Sequence, residues 1–432
     1  MAKKKTKTVS VKVGGRKRKF PLWLVIVVIA AVAIGCFIWY FAFAKKGNGA
    51  QSSSGEPTTS QMDSSAPVSS QAYIEGDAAP ITFNFVAQGN AHTGDCTYIK
   101  AGDNDILIDA GNSTGSAAVI EKYADDSSRT GNYVSDGKLE YVIATHAHKD
   151  RIAGFVGNSS STAEGGKDGI FYHYSVGSII DFSHYDGGGV ISDNSSDSVP
   201  TGATTIYKNY VAARDYAVSK GAKWQTAGQM WASGSKTITL GKNLTMTLLY
   251  NYFYDHTSKE ISGLGNFEFS DQNDDSVCVL FTQGSKHFLF TGDAEAAGEH
   301  SLTKYNSLPE VELFKGGHHG SYTANTDALL SVIKPKMVCI CCCAGNKEYA
   351  SNASHAFPAQ ESVDRIAKYT DRVYVTDLGS WTDVSYDEPM NGNIVVKYDE
   401  KSAETLSFSN NDTKLKDTAW FKANRTMPSN WS

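Results

Sequence analysis

Apolar and β-branched residues recur in short runs from residue 81 onward, a pattern that predicts a chain rich in β-strands. A first series of strands is predicted at 81–87, 96–101, 105–110 and 139–146. A second series is predicted at 236–241, 244–252, 276–283, 287–293, 311–317 and 335–342, followed by strands at 372–377 and 392–398. Helices are predicted at 116–124, 205–220, 294–306, 325–334 and 359–369. Two strand-rich halves with helices outside them favour an α/β fold, a four-layer αβ/βα sandwich.

The first residues of the chain have a different pattern. Residues 1–20 contain nine Lys or Arg and form a basic tail, and residues 21–44 form an apolar run with no charge. About 20 such residues span a bilayer as a helix. The run continues past Gly35 and Cys36, which argues against a cleaved signal peptide and against a lipoprotein cysteine. Because the positive charges precede the run, we expect a single transmembrane helix in the cell membrane, with the N-terminus in the cytoplasm and the rest of the chain outside.

The remainder of the chain divides into a linker, one large domain and a tail. Residues 45–79 are rich in Ser, Thr and Gly and predict a flexible linker. The domain is predicted over 80–405, and residues 406–432 form a C-terminal tail without a recognisable motif. Within the domain, the Ser, Gly and Asp residues of 157–204 are typical of an insertion or lid rather than of core.

Four cysteines fall in the apolar segment MVCICCCAG (337–345), which overlaps one predicted strand: Cys339, Cys341, Cys342 and Cys343. Neighbouring residues of a strand point to opposite faces of the sheet, so the four cannot all face one metal ion. The sequence also lacks the second CxxC pair that a metal or redox cluster would need. We therefore predict small buried core residues, with a metal or redox cluster as the alternative.

The strongest chemical signal is the segment THAHKDRIAG at 145–154. It follows an apolar, β-branched run, so His146, His148 and Asp150 are expected to leave the end of a strand in a tight loop. Two imidazoles and a carboxylate at this spacing suit Zn²⁺ or Mn²⁺. The alternative is an exposed loop that holds two histidines by chance.

Three other predicted strand ends carry groups able to contact a metal ion or its ligands. FTGDAE (290–295) places Asp293 after a glycine that permits a sharp turn, and FKGGHHGS (314–321) places His318 and His319 after two glycines. LIDAG (107–111) places Asp109 at the end of an early strand. Each signal is weak alone, because strand–glycine–aspartate turns are common. Their order along the chain makes the set specific.

This order resembles the metallo-β-lactamase superfamily, in which an early Asp, an HxHxDH motif, a bridging Asp and a late His succeed one another. The likeness runs from about residue 81 to about residue 400 and is greatest to the extracytoplasmic hydrolase domain of the DNA-uptake protein ComEC. The segments that match it in order are GNAHTGD (89–95), LIDAG, THAHKDRIAG, FTGDAE, FKGGHHGS and SHAFP (354–358). LLYNYFYDH (248–256), followed by QNDDSVCVLF (272–281), is also similar to the pneumococcal phosphorylcholine esterase of the same superfamily.

The resemblance implies a site for one or two divalent ions, with Zn²⁺ expected and Mn²⁺ as the alternative. The implied ligands are His146, His148, Asp150, Asp293 and one of the pair His318 and His319. Asp293 would bridge two ions, or bind one where only one is present. Asp150 would hold the second ion or act as general base on water that the ion activates.

Three further residues match family positions outside the implied ligand set. Asp109 would orient a ligand histidine from behind. His355, in the place of a late motif histidine, would face the substrate or protonate a leaving group. Lys315 matches a family lysine, with a solvated strand residue as the alternative.

The chain departs from the family at Arg151, which replaces the final histidine of HxHxDH. An arginine stays protonated and has no lone pair, so it cannot bind a metal ion, and the second metal position loses a ligand. His184 and His256 are candidates for the family's middle histidine, each with a plain loop residue as the alternative. Arg151 itself is predicted either to clamp a phosphate oxygen or to pair with Asp150 or Asp293.

Three functions follow from the resemblance and its departure. The first is a nuclease-like phosphodiesterase that acts on extracellular DNA, and the second is a phosphodiesterase that removes a group such as phosphorylcholine from cell-envelope polymers. The third is a non-catalytic surface protein with a degraded metal site. The chain has a formal charge of −6, or −17 without the eleven Lys and Arg of residues 1–46. Such an acidic body weakens the case for DNA, although a local basic groove would suffice.

Overall fold

The computed structural model describes residues 8–13, 16–21, 76–185, 189–190, 203–254 and 272–432. The chain divides into two units, Met1–Ser69 and Ser70–Ser432. In the first unit, strands β1 (Thr8–Val13) and β2 (Arg16–Pro21) pair antiparallel. The predicted anchor, apart from its first residue, and most of the predicted linker lie outside the described residues, and both stay predictions. Within the described part of the chain, no helix is long and apolar enough to cross a membrane.

The second unit contains two eight-stranded sheets. The first consists of β3 (Ile81–Phe85), β4 (Thr97–Ala101), β5 (Asn104–Ile108), β6 (Lys138–Ile143), β7 (Ser175–Asp181), β10 (Lys223–Thr226), β19 (Ile394–Tyr398) and β20 (Thr405–Phe408). Their order is β10-β7-β6-β5-β4-β3-β19-β20. Strands β5, β6, β7 and β10 are parallel, and the other neighbours are antiparallel.

The second sheet is built entirely from later strands. It consists of β11 (Thr237–Gly241), β12 (Leu244–Leu248), β13 (Val279–Gln283), β14 (Lys286–Phe290), β15 (Leu313–Lys315), β16 (Val338–Ala344), β17 (Val373–Leu378) and β18 (Glu388–Pro389), adjacent in this order. Strands β14 to β17 are parallel. A separate antiparallel pair is formed by β8 (His184–Tyr185) and β9 (Gly189–Val190).

Helices connect the strands and cover the two sheets. They are α1 (Ser116–Ala124), α2 (Lys149–Val156), α3 (Ile170–His173), α4 (Thr205–Ser219), α5 (Ala227–Ala232), α6 (Ala296–Tyr305), α7 (Asp327–Ile333), α8 (Gln360–Ile366) and α9 (Ala419–Asn424). Side chains of α1, α2 and α4 share a core with the first sheet, and those of α6 to α9 share a second core with the outer face of the second sheet.

Aromatic side chains fill the space between the sheets. The ring of Phe83 in β3 lies 5.7 Å from that of Phe281, 4.9 Å from that of Phe288 and 5.5 Å from that of Phe290, measured between centroids. All four rings are buried. Tilted and edge-to-face contacts of this kind add to the free energy gained by burying apolar area. Helices outside two facing sheets agree with the predicted layered α/β architecture.

The cysteine-rich strand is part of the core, as the sequence predicts. Cys339, Cys341, Cys342 and Cys343 lie in β16, are at most 2% exposed and are free thiols. Cys339 and Cys341 pack in the core between the sheets, whereas Cys342 packs in the core under the outer helices. The alternation along a strand therefore separates the thiols.

Described residues of two less regular segments contribute to the cores. Residues 157–204 are not simply an insertion, because they contain α3 and β7, and Ile180 and Phe182 are buried. Residues 406–432 are not a detached tail, since Phe421 of α9 and Trp431 are buried in the second core. The first segment mixes an apolar stretch at 170–182 with Ser, Gly and Asp on both sides, and the second holds isolated aromatic residues in a polar stretch.

Candidate metal centre

Loops that follow parallel strands of both sheets meet at one place. Asp109 follows β5, His146 and His148 follow β6, Asp293 follows β14, and His318 and His319 follow β15. Helix α2 begins directly after His148, so Asp150 and Arg151 lie in its first turn rather than in a loop. The sequence predicts the strand ends correctly and misses this helix.

Asp109 holds the loop that carries His146. Its carboxylate accepts hydrogen bonds from the Thr145 backbone N–H and from the Thr145 hydroxyl, each at 2.8 Å. The Thr145 hydroxyl oxygen in turn lies 3.2 Å from Nδ1 of His146. Burial raises the pKa of Asp109 to about 7. This placement matches the predicted role of Asp109 as a residue that orients a histidine from behind.

His146 presents a nitrogen that has no hydrogen-bond partner. Its side chain is fully buried, and Nε2 is unpartnered and lies 3.5 Å from Oδ2 of Asp293. Burial lowers the pKa of His146 well below its usual value, so the ring is neutral. With the proton on Nδ1, facing Thr145 and Ser276, the Nε2 lone pair points toward Asp293. The ring of His148 packs edge-on at 4.7 Å.

The structure separates the roles of His318 and His319, which the sequence leaves open. His319 is buried, donates from Nδ1 to the Cys341 carbonyl at 2.7 Å and places Nε2 2.9 Å from Oδ2 of Asp150. His318 instead places Nδ1 3.0 Å from Oε1 of Glu295. Burial opposes the charged form of His318, but the carboxylates outweigh it and raise its pKa. His319 is therefore the member of the pair that contacts Asp150 and Arg151, and which of the two would bind a metal ion stays a prediction.

Arg151 lies inside the centre and is fully buried. Its guanidinium pairs with Asp95 and Asp293, lies 3.7 Å from Oδ2 of Asp150 and donates to Nε2 of His319 at 2.7 Å. Burial opposes ionisation of Asp150 and Asp293, but Arg151 outweighs it and holds the pKa of both carboxyls below the usual range. Of the two roles predicted for Arg151, the contacts favour the ion pair over a clamp that faces substrate.

Asp95 is a residue of the centre that the sequence analysis did not single out. Among the described residues, one group of three has all its potential ligand atoms within 4.8 Å of one another: Asp95, Asp293 and His319. Asp95 also pairs with Lys315, which is 3% exposed and so is not a solvated strand residue. Asp95 is the last residue of the family-like segment GNAHTGD (89–95), so the motif contains the signal for it.

His355 and Tyr349 lie on the exposed side of the centre. The His355 ring stacks on Tyr322 at 4.2 Å, and its nitrogens face Asn352 and Glu361, so none of these contacts joins it to the buried cluster. Its predicted role toward the substrate stays a prediction. Tyr349 is 61% exposed, and its ring stacks at 6.3 Å on Phe357, which packs against His318 and His319.

The two candidates for a middle histidine gain no support as ligands. His184 belongs to the short strand β8, and its side chain lies outside what the structure describes. His256 lies outside the described residues altogether.

His146, His148 and Asp293 are candidate ligands for one divalent ion, whereas the one group of described residues with ligand atoms within 4.8 Å of one another is Asp95, Asp293 and His319. His146 offers an unpartnered buried nitrogen, Asp293 an ionised carboxylate, and His148 a second imidazole next to the first. Two imidazoles and a carboxylate are the ligands of catalytic zinc sites that keep a position open for water. The ligand assignments themselves remain predictions from the motif.

A family profile described as the metallo-beta-lactamase superfamily matches residues 89–157 and 207–343. The matched ranges contain the motif residues from Asp95 to His319. Recombination protein 2 of Haemophilus influenzae is 28% identical over 114 residues, which are 26% of this chain and 13% of that protein. The chain thus aligns with only a small part of that relative.

Two solved structures to which the chain is similar match it at low identity. A putative metallo-beta-lactamase from Thermotoga maritima shares 15% identity over 50% of this chain and 79% of its own, with a TM-score of 0.28. A diphosphatase from the PhnP family shares 11% identity over 69% of this chain and 96% of its own, with a TM-score of 0.31.

Proposed function

Because the chain belongs to the metallo-β-lactamase superfamily, we propose that it is a metal-dependent phosphodiesterase, anchored in the cell membrane with its catalytic domain outside. The observation that carries the proposal is the buried, unpartnered Nε2 of His146 beside the ionised carboxylate of Asp293. A buried polar atom without a partner is costly unless a ligand completes it.

Each residue of the centre has a distinct task in this proposal. His146, His148 and Asp293 hold a divalent ion, Zn²⁺ or Mn²⁺, which when bound supplies an activated water as nucleophile. Asp150, which Arg151 holds ionised, would accept a hydrogen bond from a water that the ion activates. Asp109 fixes the loop of His146 through Thr145.

The class of diester is open to two proposals. The resemblance of the motif segments to the ComEC hydrolase domain supports a nuclease-like activity on DNA. The formal charge of −17 beyond residue 46 favours a cell-envelope polymer, because an acidic body repels a long polyanion. We propose phosphodiester hydrolysis as the activity common to both.

Hydrolysis of a simple diester by the purified full-length chain tests the proposal. With Zn²⁺ or Mn²⁺ present, we expect turnover of bis(p-nitrophenyl) phosphate. The His146→Ala variant should lose at least about 100-fold in kcat/KM, since one of few ligands is gone. Exposed His173, which faces Asp125 on the surface, supplies the matched control, and His173→Ala should keep full activity.

Two further substrates then separate the diester classes. Single-stranded DNA and p-nitrophenyl phosphorylcholine are compared at equal metal load. Preference for DNA supports the nuclease-like enzyme, and preference for the choline ester supports the envelope enzyme. A wild-type chain that hydrolyses no diester and binds no ion is a non-catalytic surface protein, and the proposal is then wrong.

A further inference from the structure

The guanidinium of Arg151 lies at the middle of the group of acidic and imidazole side chains. Nη1 pairs with Asp95, and Nη2 pairs with Asp293 and lies 2.7 Å from Nε2 of His319. Nε lies 4.0 Å from Oδ2 of Asp109. The side chain is 0% exposed, so its positive charge is directed wholly at protein groups.

Three residues that contact this guanidinium also form the group of described residues that could hold a metal ion. Asp95, Asp293 and His319 have ligand atoms within 4.8 Å of one another, and each contacts Arg151. Several ligand atoms that face one small volume are expected to surround a cation. In this chain the cation at that place is the guanidinium of Arg151.

We infer that the guanidinium of Arg151 permanently occupies the second metal position, so that the chain binds one ion, on the His146 side, instead of two. The inference deepens the proposed function, on which it rests for the catalytic use of that one ion. Arginine is protonated at every physiological pH and planar, so it bridges two carboxylates in a fixed geometry without exchanging with solvent. Arg151 is on this account a positioning residue that fixes Asp293 and His319.

Charge supports a single ion. Four carboxylates surround the position, namely Asp95, Asp109, Asp150 and Asp293, and two buried cations, Arg151 and Lys315, lie among them. The guanidinium of Arg151 and the ammonium of Lys315 already pair with Asp95, and Arg151 also pairs with Asp293. A second divalent ion would have to displace the guanidinium of Arg151 from Asp95 and Asp293. Arg151 would then be a buried charge without its carboxylate partners, which is costly.

Metal content per chain tests the inference directly. The full-length protein is loaded with Zn²⁺, freed of excess metal and measured by atomic mass spectrometry. We expect one ion for wild type and one more for Arg151→His, which restores a neutral nitrogen ligand. Arg151→Lys is the matched control: it keeps the charge but cannot bridge Asp95 and Asp293, so it should bind the wild-type number of ions with a lower melting temperature.

Every combination of metal counts decides between the alternatives. Two ions per wild-type chain, or equal counts for wild type and Arg151→His, overturn the inference. If Arg151→His fails to fold, Asp95→Asn replaces it. Asp95 pairs with Arg151 and Lys315 and is not a ligand of the one expected ion, so Asp95→Asn should bind as many ions as wild type. A metal content lower by one ion per chain overturns the inference. If wild type binds no Zn²⁺ ion, the proposed function is wrong. The difference in ions per chain between wild type and Arg151→His still tests whether Arg151 occupies the second metal position.

A second, independent feature lies at the opening of the centre. Tyr349 adopts a left-handed backbone conformation (φ 61°), which bulky side chains rarely adopt, and is 61% exposed. Within the described residues its hydroxyl makes no hydrogen bond. Burial on the inner side, and then the charge of Asp150, raise the pKa of this phenol, and Asp293 acts in the same direction. The ring is supported by Phe357, which packs on His319.

We propose that Tyr349 positions the substrate, with its hydroxyl donating a hydrogen bond to a phosphoryl oxygen of the diester named under the proposed function. A strained and exposed tyrosine that lies close to the charged groups of the centre is typical of a ligand-binding residue rather than of a core residue. The phenol replaces His355 as the substrate-facing group of this account.

Binding of a slowly hydrolysed phosphorothioate diester, measured by calorimetry on the full-length protein, tests Tyr349 separately from turnover. Tyr349→Phe keeps the ring and should bind about tenfold more weakly, the loss expected for one hydrogen bond to a charged group. Tyr322→Phe, on the neighbouring exposed ring, should bind as wild type does. Equal affinity for wild type and Tyr349→Phe, or no binding by wild type, overturns the proposal. Turnover of the parent diester judges the proposed function independently.

Discussion

At the scale of single residues, Asp109 shows how one side chain preorganises the centre. It has a left-handed backbone conformation (φ 58°), which aspartate tolerates better than most residues, and both of its oxygens accept from Thr145. The Thr145 hydroxyl then faces His146. Strain at Asp109 is thereby offset by hydrogen bonds that fix a predicted ligand.

Asp109→Ala should lower the free energy of unfolding by about 2–3 kcal/mol, because it removes two buried acceptors and leaves an alanine in a left-handed conformation. Urea denaturation of the metal-free chain, followed by tryptophan fluorescence, measures the change. Asp109→Asn retains an acceptor and tolerates the conformation, so it should lose less than half as much. An Asp109→Ala variant as stable as wild type would contradict this role.

Much of the centre is predictable from single motifs, and the remainder depends on contacts between motifs. His146, Asp109 and Asp293 each follow a strand, and the sequence shows this locally. The choice of His319 over His318 depends on the Cys341 carbonyl, and the ion pair of Arg151 with Asp95 joins residues from different loops. No local pattern specifies such partners.

At the scale of elements, most strands of both sheets are predicted, whereas α2, α3, α5 and α9 are missed, as are β7, β10, β18 and β20. Helix α2 has no apolar period over its first turn, and Gly154 lies in its interior. That glycine is explained by packing: its N–H donates to the Ala110 carbonyl at 3.0 Å, and this close approach leaves no room for a Cβ. Helix propensity alone argues against a helix there.

Gly154→Ala should therefore destabilise the protein even though alanine favours helices by about 1 kcal/mol. A Cβ at this position would collide with the Ala110 carbonyl oxygen, and α2 would have to move away from the loop that carries Asp109. We expect a loss of at least about 2 kcal/mol and weaker metal binding. A melting temperature equal to or above that of wild type would show that α2 is not held this closely.

At the scale of the whole molecule, the two-sheet architecture follows from the two strand series, but its boundaries do not. The segment after residue 405 contributes Phe421 and Trp431 to the second core, although its sequence is mostly polar. Isolated aromatic residues in a polar segment indicate burial only once the rest of the fold is known.

The orientation of the chain is a prediction of the charge distribution alone. Nine Lys or Arg precede the apolar run of residues 21–44, and two follow it directly, so the catalytic domain should face outward. Protease added to intact cells should release a fragment that carries the domain. A domain that is cut only after lysis would show the opposite orientation.

The central claim is that one divalent ion, beside His146 and balanced by the charge of Arg151, supports diester hydrolysis. Titration of the metal-free full-length protein with Zn²⁺, followed by hydrolysis of bis(p-nitrophenyl) phosphate, tests it most directly. We predict that activity rises in proportion to the added ion, reaches a plateau at about one equivalent per chain, and stays at background in His146→Ala. Activity that requires two equivalents, or no activity at any load, would contradict the account.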